Sequence, residues 1–202
     1  MMNPLIALLL AYLLGAIPFG YLLVRLRTGA DVRSSGSGNI GATNVLRTAG
    51  RAAGAATLLL DIAKGYLAVW LAARLTDGSE FWMSLAALSV MAGHAFPVFL
   101  KFKGGKAVAS CVGAFLCLAP LPLAAALVVF VVIVAVTRYV SLGSILAAGS
   151  LPLAVWLISH RSAYVLAAAL LAGGFIIWRH KSNLERLRAG TEHVLSFGGR
   201  HK

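Results

Sequence analysis

Apolar residues fall in seven long runs, about 4–24, 53–75, 81–100, 107–119, 122–137, 140–158 and 163–178, each bounded by charged residues or by glycine and proline. A helix needs about 20 residues to cross the hydrocarbon core of a bilayer, with a usable range of roughly 17–25. The runs 107–119 and 122–137 are therefore short, and Pro120-Leu121-Pro122 between them marks a tight hairpin. Joining these two into one tilted span would leave six crossings. The paired prolines and the charge distribution argue for seven. The pattern thus predicts an all-α integral membrane protein with seven transmembrane helices, forming a single domain over residues 1–202.

Composition agrees. Of 202 residues 60% are hydrophobic and only 12% charged, where a soluble domain carries roughly 25% charged residues. Cys111 and Cys117 both lie inside an apolar run and read as small buried hydrophobes, neither a disulfide framework nor a metal site. No Lys or Arg precedes Arg25, and a secretory signal wants a basic start, so 4–24 reads as a retained first span.

The net charge of +12 raises the question of nucleic acid. The basic residues sit in the connections between apolar runs rather than on one continuous face, so nucleic acid is excluded as a partner. With the N-terminus outside, the segments 25–52 and 101–106, Arg138 and the tail from Arg179 face the cytoplasm and hold 15 of the 18 basic residues. Arg74 and Arg161 fall on the other side, and Lys64 lies within a span. This bias predicts an N-out, C-in topology. Every polar, glycine-rich or basic cluster then lies on one membrane face. That suits an enzyme fed from the cytoplasm better than a transporter, whose polar groups would cluster near the bilayer midplane.

Four clusters carry candidate chemistry. The first is 36–47, where Gly36, Gly38 and Gly41 alternate with Ser37, Asn39, Thr43 and Asn44 and end at Arg47. Glycines let backbone amides approach an anion, and arginine offers a planar fork for phosphate. A polar connector between helices is the competing reading. The spacing Gly36-x-Gly38-x-x-Gly41 also spells a dinucleotide fingerprint, but no strand precedes it and Asp61, about 20 residues on, lies inside an apolar run. The second cluster runs from Gly93-His94 to Gly104-Gly105-Lys106. A membrane anchor accounts for Lys101 and Lys103 but not for the paired glycines, so Gly104, Gly105 and Lys106 are phosphate candidates and His94 a packing or hydrogen-bonding residue. In the third, Arg138 to Ser144, Ser141 and Ser144 share a helix face. Ser141 is read as a helix cap and kept as a binding candidate, while the deeper Ser144 needs a partner or a ligand. The fourth is the tail, with His180 and Asn183 on one helical face. His180 and Glu185 show a His-x4-acid spacing that nothing else supports. Asp61 and Lys64, one turn apart in a span, read as a structural ion pair. No metal-ligand spacing and no Gly-x-Ser-x-Gly nucleophile turn occurs.

Together these clusters resemble the bacterial acyl-phosphate:glycerol-3-phosphate acyltransferase family of the PlsY type, over about Tyr12 to Glu192. The resemblance is carried by Ser37-Gly38-Asn39-x-Gly41-Ala42-Thr43-Asn44-x-x-Arg47, by Gly93-His94-x-Phe96-Pro97-x-Phe99 running into Phe102-Lys103-Gly104-Gly105-Lys106, by Arg138-Tyr139-x-Ser141, and by Arg179-His180-x-x-Asn183 with Gly190-x-Glu192. Ala107 stands where the family pattern usually has glycine. The resemblance implies a seven-span enzyme of the bacterial cytoplasmic membrane with its site facing the cytoplasm. It implies transfer of a fatty acyl group from acyl phosphate to the 1-hydroxyl of glycerol 3-phosphate, the first acylation of phospholipid synthesis, giving lysophosphatidic acid and phosphate without a cofactor or metal. Ser37, the 38–44 loop and Arg47 are assigned to phosphate, Lys106 to charge neutralisation, and Ser144, His180 and Asn183, by resemblance, to the substrate pocket. A phosphate or organic-anion transporter and a lipid-binding scaffold are the alternatives.

Overall fold

The computed structural model describes residues 4–159 and 162–195. Among them, all regular structure is helical. The first apolar run is two helices, α1 (Pro4–Ala16) and α2 (Phe19–Thr28), because Pro18 supplies no N–H and breaks the ladder there. Gly29 ends α2 in the left-handed conformation. A short helix α3 (Ala42–Ala49) leads through Gly50 into the long α4 (Arg51–Leu75). α5 (Glu80–Ala95) stops ahead of Pro97 and is followed by a single 3₁₀ turn. Then come α6 (Val108–Leu118), α7 (Pro120–Thr137) and α8 (Val140–Ala154), which passes into a π-helical turn after Pro152. α9 (Ala163–Arg179) and α10 (Lys181–Arg188) close the described chain.

Among the described residues, five stretches are long and apolar enough to cross a membrane: 4–28, 51–75, 80–100, 120–137 and 140–159. α9 and α10, bent by 54° between them, reach the length of a sixth only if taken as one broken span. α6 has 11 residues, or about 16 Å of helix, half the hydrocarbon thickness. The turn at His160-Arg161 and the end of the tail, with Arg200 and Lys202, lie outside the described residues.

α1 packs on α5, α4 on α6, α7 on α8, and α8 on α9. The α4–α6 contact shows what holds such a bundle together without a hydrophobic driving force. A Cβ at Gly65 would lie 2.1 Å from the Ser110 carbonyl oxygen, and one at Gly113 only 1.8 Å from that of Ile62. Small residues here let two backbones touch, and dispersion at close range supplies the attraction. The polar connections then gather at one end of the bundle, where α2, α5, α7 and α9 finish and α4, α6 and α8 begin.

Candidate active site

Residues 29–41 fold around one side chain. Asn44, buried in the first turn of α3, donates from Nδ2 to the carbonyls of Val32 (3.1 Å), Ser35 (3.1 Å) and Asn39 (2.8 Å) and accepts at Oδ1 from the Ser37 amide (2.9 Å). Gly36 and Gly38 sit at φ +60° and +68°, and a Cβ at Gly36 would strike Asn44 Oδ1 at 2.2 Å. The Gly38 amide bonds to Ser35 and the Gly41 amide to Asn39 Oδ1. Gly38 and Asn44, expected among the ligand-binding residues, do not line the adjoining cavity. Their hydrogen-bonding groups are engaged in shaping the loop. What this loop and the start of α3 give to the lining of the adjoining cavity is Ser37, Asn39, Gly41, Thr43 and Arg47; the Ala42 and Thr43 amides, by position, have no acceptor inside the helix.

Gly104 and Gly105 likewise stand outside the cavity lining. Their amides donate to the carbonyls of Ala95 (3.2 Å) and His94 (3.1 Å). Their own carbonyls accept from the Arg179 guanidinium, Gly105 at 2.9 Å and Gly104 at 3.3 Å. They leave no free amide cradle; they fix the stalk of Lys106. Ala107 begins α6 at φ +61°, the conformation for which glycine would be the easier residue.

Lys106 donates from Nζ to Asn183 Oδ1. Asn183 Nδ2 donates onward to Glu192 Oε1 (2.8 Å), which also accepts from the Ser141 hydroxyl (3.1 Å), while Glu192 Oε2 accepts from Arg186 Nε (2.8 Å). Ser141 thus binds Glu192 rather than capping α8. Ser144 donates to the Val140 carbonyl (2.8 Å), leaving its lone pairs for the cavity. His180 Nδ1 lies 2.7 Å from the Ile176 carbonyl. A carbonyl only accepts, so Nδ1 carries the proton and Nε2 is an acceptor. Glu185 is exposed, so the His-x4-acid spacing forms no dyad.

The charges are tuned by this setting. Burial pulls the Lys106 ammonium down to about 8, against the attraction of Glu192 and with the help of nearby arginines. Burial, together with the Lys106 charge, takes His180 down to about 4, so its ring is neutral at physiological pH. Burial opposes the charge on Glu192, but hydrogen bonds from Asn183 and Arg186 overcome it and hold the carboxyl below its usual range.

One cavity of about 690 Å³ receives all of this. Ser37, Asn39, Gly41, Thr43, Arg47, Lys106, Ser141, Ser144, His180 and Asn183 line it, whereas Gly38, Asn44, Gly104 and Gly105 do not. Arg51, Asp61, His94 and Glu192 also line it and were not assigned to the site from sequence. Glu192 had two available signals, its place in the Gly190-x-Glu192 motif and its rarity. It is among just six acidic residues in the chain and falls in a basic tail. Away from the polar end, the wall between α4, α6, α7 and α8 is apolar, with Ile62, Val112, Leu127, Phe130 and Leu151. Glu192→Gln keeps the size of the side chain but removes the charge opposite Arg186 and turns one of its two accepting oxygens into a donor, so one arm of the network is lost. A loss of about tenfold in kcat/KM is expected, with most of the fold's stability kept, read from steady-state rates and a melting curve.

The comparisons follow the same outline. The family model described as glycerol-3-phosphate acyltransferase matches residues 5–190. Proteins named glycerol-3-phosphate acyltransferase from Trichlorobacter lovleyi and Desulforamulus reducens are 52% and 50% identical, each over 90% of this chain and over 92% and 90% of their own. Crystal structures of PlsY (YgiH), an integral membrane glycerol 3-phosphate acyltransferase, superpose in its glycerol 3-phosphate form with a TM-score of 0.91 at 37% identity, covering 96% of both chains. The lysophosphatidic acid form superposes at 0.87 and 35%, covering 96% and 95%. The match runs through every element that lines the cavity, and the chain belongs to the glycerol-3-phosphate acyltransferase family.

Proposed function

We propose that this acyltransferase takes its acyl group from an acyl phosphate and passes it to the 1-hydroxyl of glycerol 3-phosphate. The observation that carries the reading is the single cavity in which a cationic, hydroxyl-rich end opens into an apolar trough. A donor with a phosphate head and a fatty tail has those two halves, and both substrates bring phosphate to Arg47 and Lys106. The attacking hydroxyl oxygen forms a bond to the acyl carbon, and the carbon–oxygen bond to phosphate breaks. The hydroxyl proton passes to a phosphate oxygen. Phosphate is already a good leaving group, so positioning and charge neutralisation supply the catalysis and no acyl-enzyme intermediate is invoked. Lys106 faces the departing phosphate. Ser37, Thr43 and Arg47 hold the head groups, with Asn39 and Gly41 beside them. Ser144, His180 and Asn183 orient glycerol 3-phosphate, and the fatty chain lies along Val112, Leu127 and Leu151.

The same reading places the polar end at the cytoplasmic face of a bacterial inner membrane. It takes α6 as a short seventh crossing and puts the N-terminus outside, supported by the concentration of basic residues at that end. Family membership leaves the transporter and scaffold alternatives without an observation in their favour.

Purified protein in detergent, given palmitoyl phosphate and glycerol 3-phosphate, should release phosphate and lysophosphatidic acid in equal amounts, only with both substrates present. Arg47 is an exposed residue of the cavity lining, so Arg47→Ala should reduce the rate by at least about tenfold rather than abolish it. Product formed from a thioester donor but not from palmitoyl phosphate would remove the proposed donor.

A further inference from the structure

Asp61, Lys64 and His94 take no part in the chemistry above, yet they form a charged cluster buried within the helix bundle. Asp61 Oδ1 lies 2.7 Å from Lys64 Nζ on the next turn of α4. Lys64 also donates to the Ile17 carbonyl (2.8 Å) at the Pro18 break between α1 and α2. On the other side, His94 Nδ1 of α5 lies 3.6 Å from the same Asp61 oxygen and 3.2 Å from the Ser110 hydroxyl of α6. Each of these side chains is at most 4% exposed. Charges at such depth are costly and are normally tied to function.

The cluster has an outward end. The imidazole of His94 lies directly under Gly105, whose Cβ, were there one, would sit 2.1 Å from His94 Nε2. The next residue is Lys106. We infer that Asp61, Lys64 and His94 are positioning residues for Lys106, with the His94 ring, held between Asp61 and Ser110, as the stop on which the Gly105 backbone rests. This builds on the reading of Lys106 as the phosphate-neutralising group. It gives the paired glycines two separate reasons. A Cβ at Gly104 would meet the His94 carbonyl oxygen at 2.3 Å and Pro97 Cδ at 2.4 Å, backbone and ring atoms that no change of the His94 side chain moves. At Gly105 the obstacle is the imidazole itself.

That difference makes the inference testable by a double-mutant cycle in acyl-transfer assays of the purified protein. Gly105→Ala should lower kcat/KM by about tenfold or more whichever substrate is varied, and shift the alkaline limb that Lys106 sets, with the melting temperature unchanged. On a His94→Ala background the same substitution should cost less than about threefold, while Gly104→Ala should stay as damaging as before. Asp61→Asn, which loosens the ring, should lower kcat/KM in the same direction. If His94→Ala does not fold, His94→Asn, shorter but still able to bond Asp61 and Ser110, takes its place. Independent, multiplying losses at Gly105 and His94 would overturn the inference. So would a loss of activity that follows a lower melting temperature and leaves the alkaline limb in place, the mark of a merely structural cluster. An inactive wild-type protein would instead count against the proposed donor chemistry.

Discussion

Replacing Lys106 with methionine is expected to lower kcat/KM by about three orders of magnitude, the scale of losing one preorganised donor to developing charge. Methionine keeps the length and the apolar stem, so the packing between α6 and the tail survives and the loss reports the charge. Arginine restores charge but not shape, since its fork is larger than the point donor that reaches Asn183, and should recover activity only in part. The pH dependence follows from the same environment. Burial holds Lys106 at about 8 in the free enzyme, so it is an ammonium below that pH and neutral above it. The rate at low substrate should therefore fall as pH rises through about 8. Bound phosphate favours the ammonium, so the fall in kcat should come at higher pH than the fall in kcat/KM. Lys106→Arg should remove this alkaline limb. A limb unchanged in that variant would assign it to another group.

Much of this was legible before any coordinates. Apolar runs against charge gave the membrane class, and the motifs in chain order gave the family. Where the reading went astray, the cause is the same each time: sequence shows which residues are polar but not which polar groups already have partners. Asn44 is in the phosphate motif yet satisfies three carbonyls and an amide of its own loop. Gly104 and Gly105 have the composition of an anion cradle, but their amides are bonded to Ala95 and His94. Ser141 has the position of a cap, yet Glu192 arrives from 51 residues away to take its hydroxyl. Proline positions were more telling than run lengths. Pro18 splits the first run and Pro97 comes just past the end of α5, whereas periodicity alone places neither boundary.

Substituting His180 by leucine should lower kcat between about two and three orders of magnitude, while glutamine, whose amide oxygen can still accept a hydrogen bond, should stay within about tenfold of wild type. The reasoning starts at the Ile176 carbonyl. With Nδ1 donating to it at 2.7 Å, the ring offers the cavity a lone pair at Nε2. That lone pair is weakly basic, since burial and the Lys106 charge have brought the ring down to about 4. It can align the 1-hydroxyl of glycerol 3-phosphate for attack, but it does not keep the proton; a phosphate oxygen is the better final acceptor. The acid side of the pH profile separates the two roles. Phosphate esters gain their second proton near about 6, so an acid limb there belongs to the substrates and should persist unchanged in His180→Gln. The contribution of His180 itself should be lost only as pH falls through about 4. If His180 were the base that retains the proton, glutamine would be as inactive as leucine, and the limb at about 4 would vanish with the imidazole.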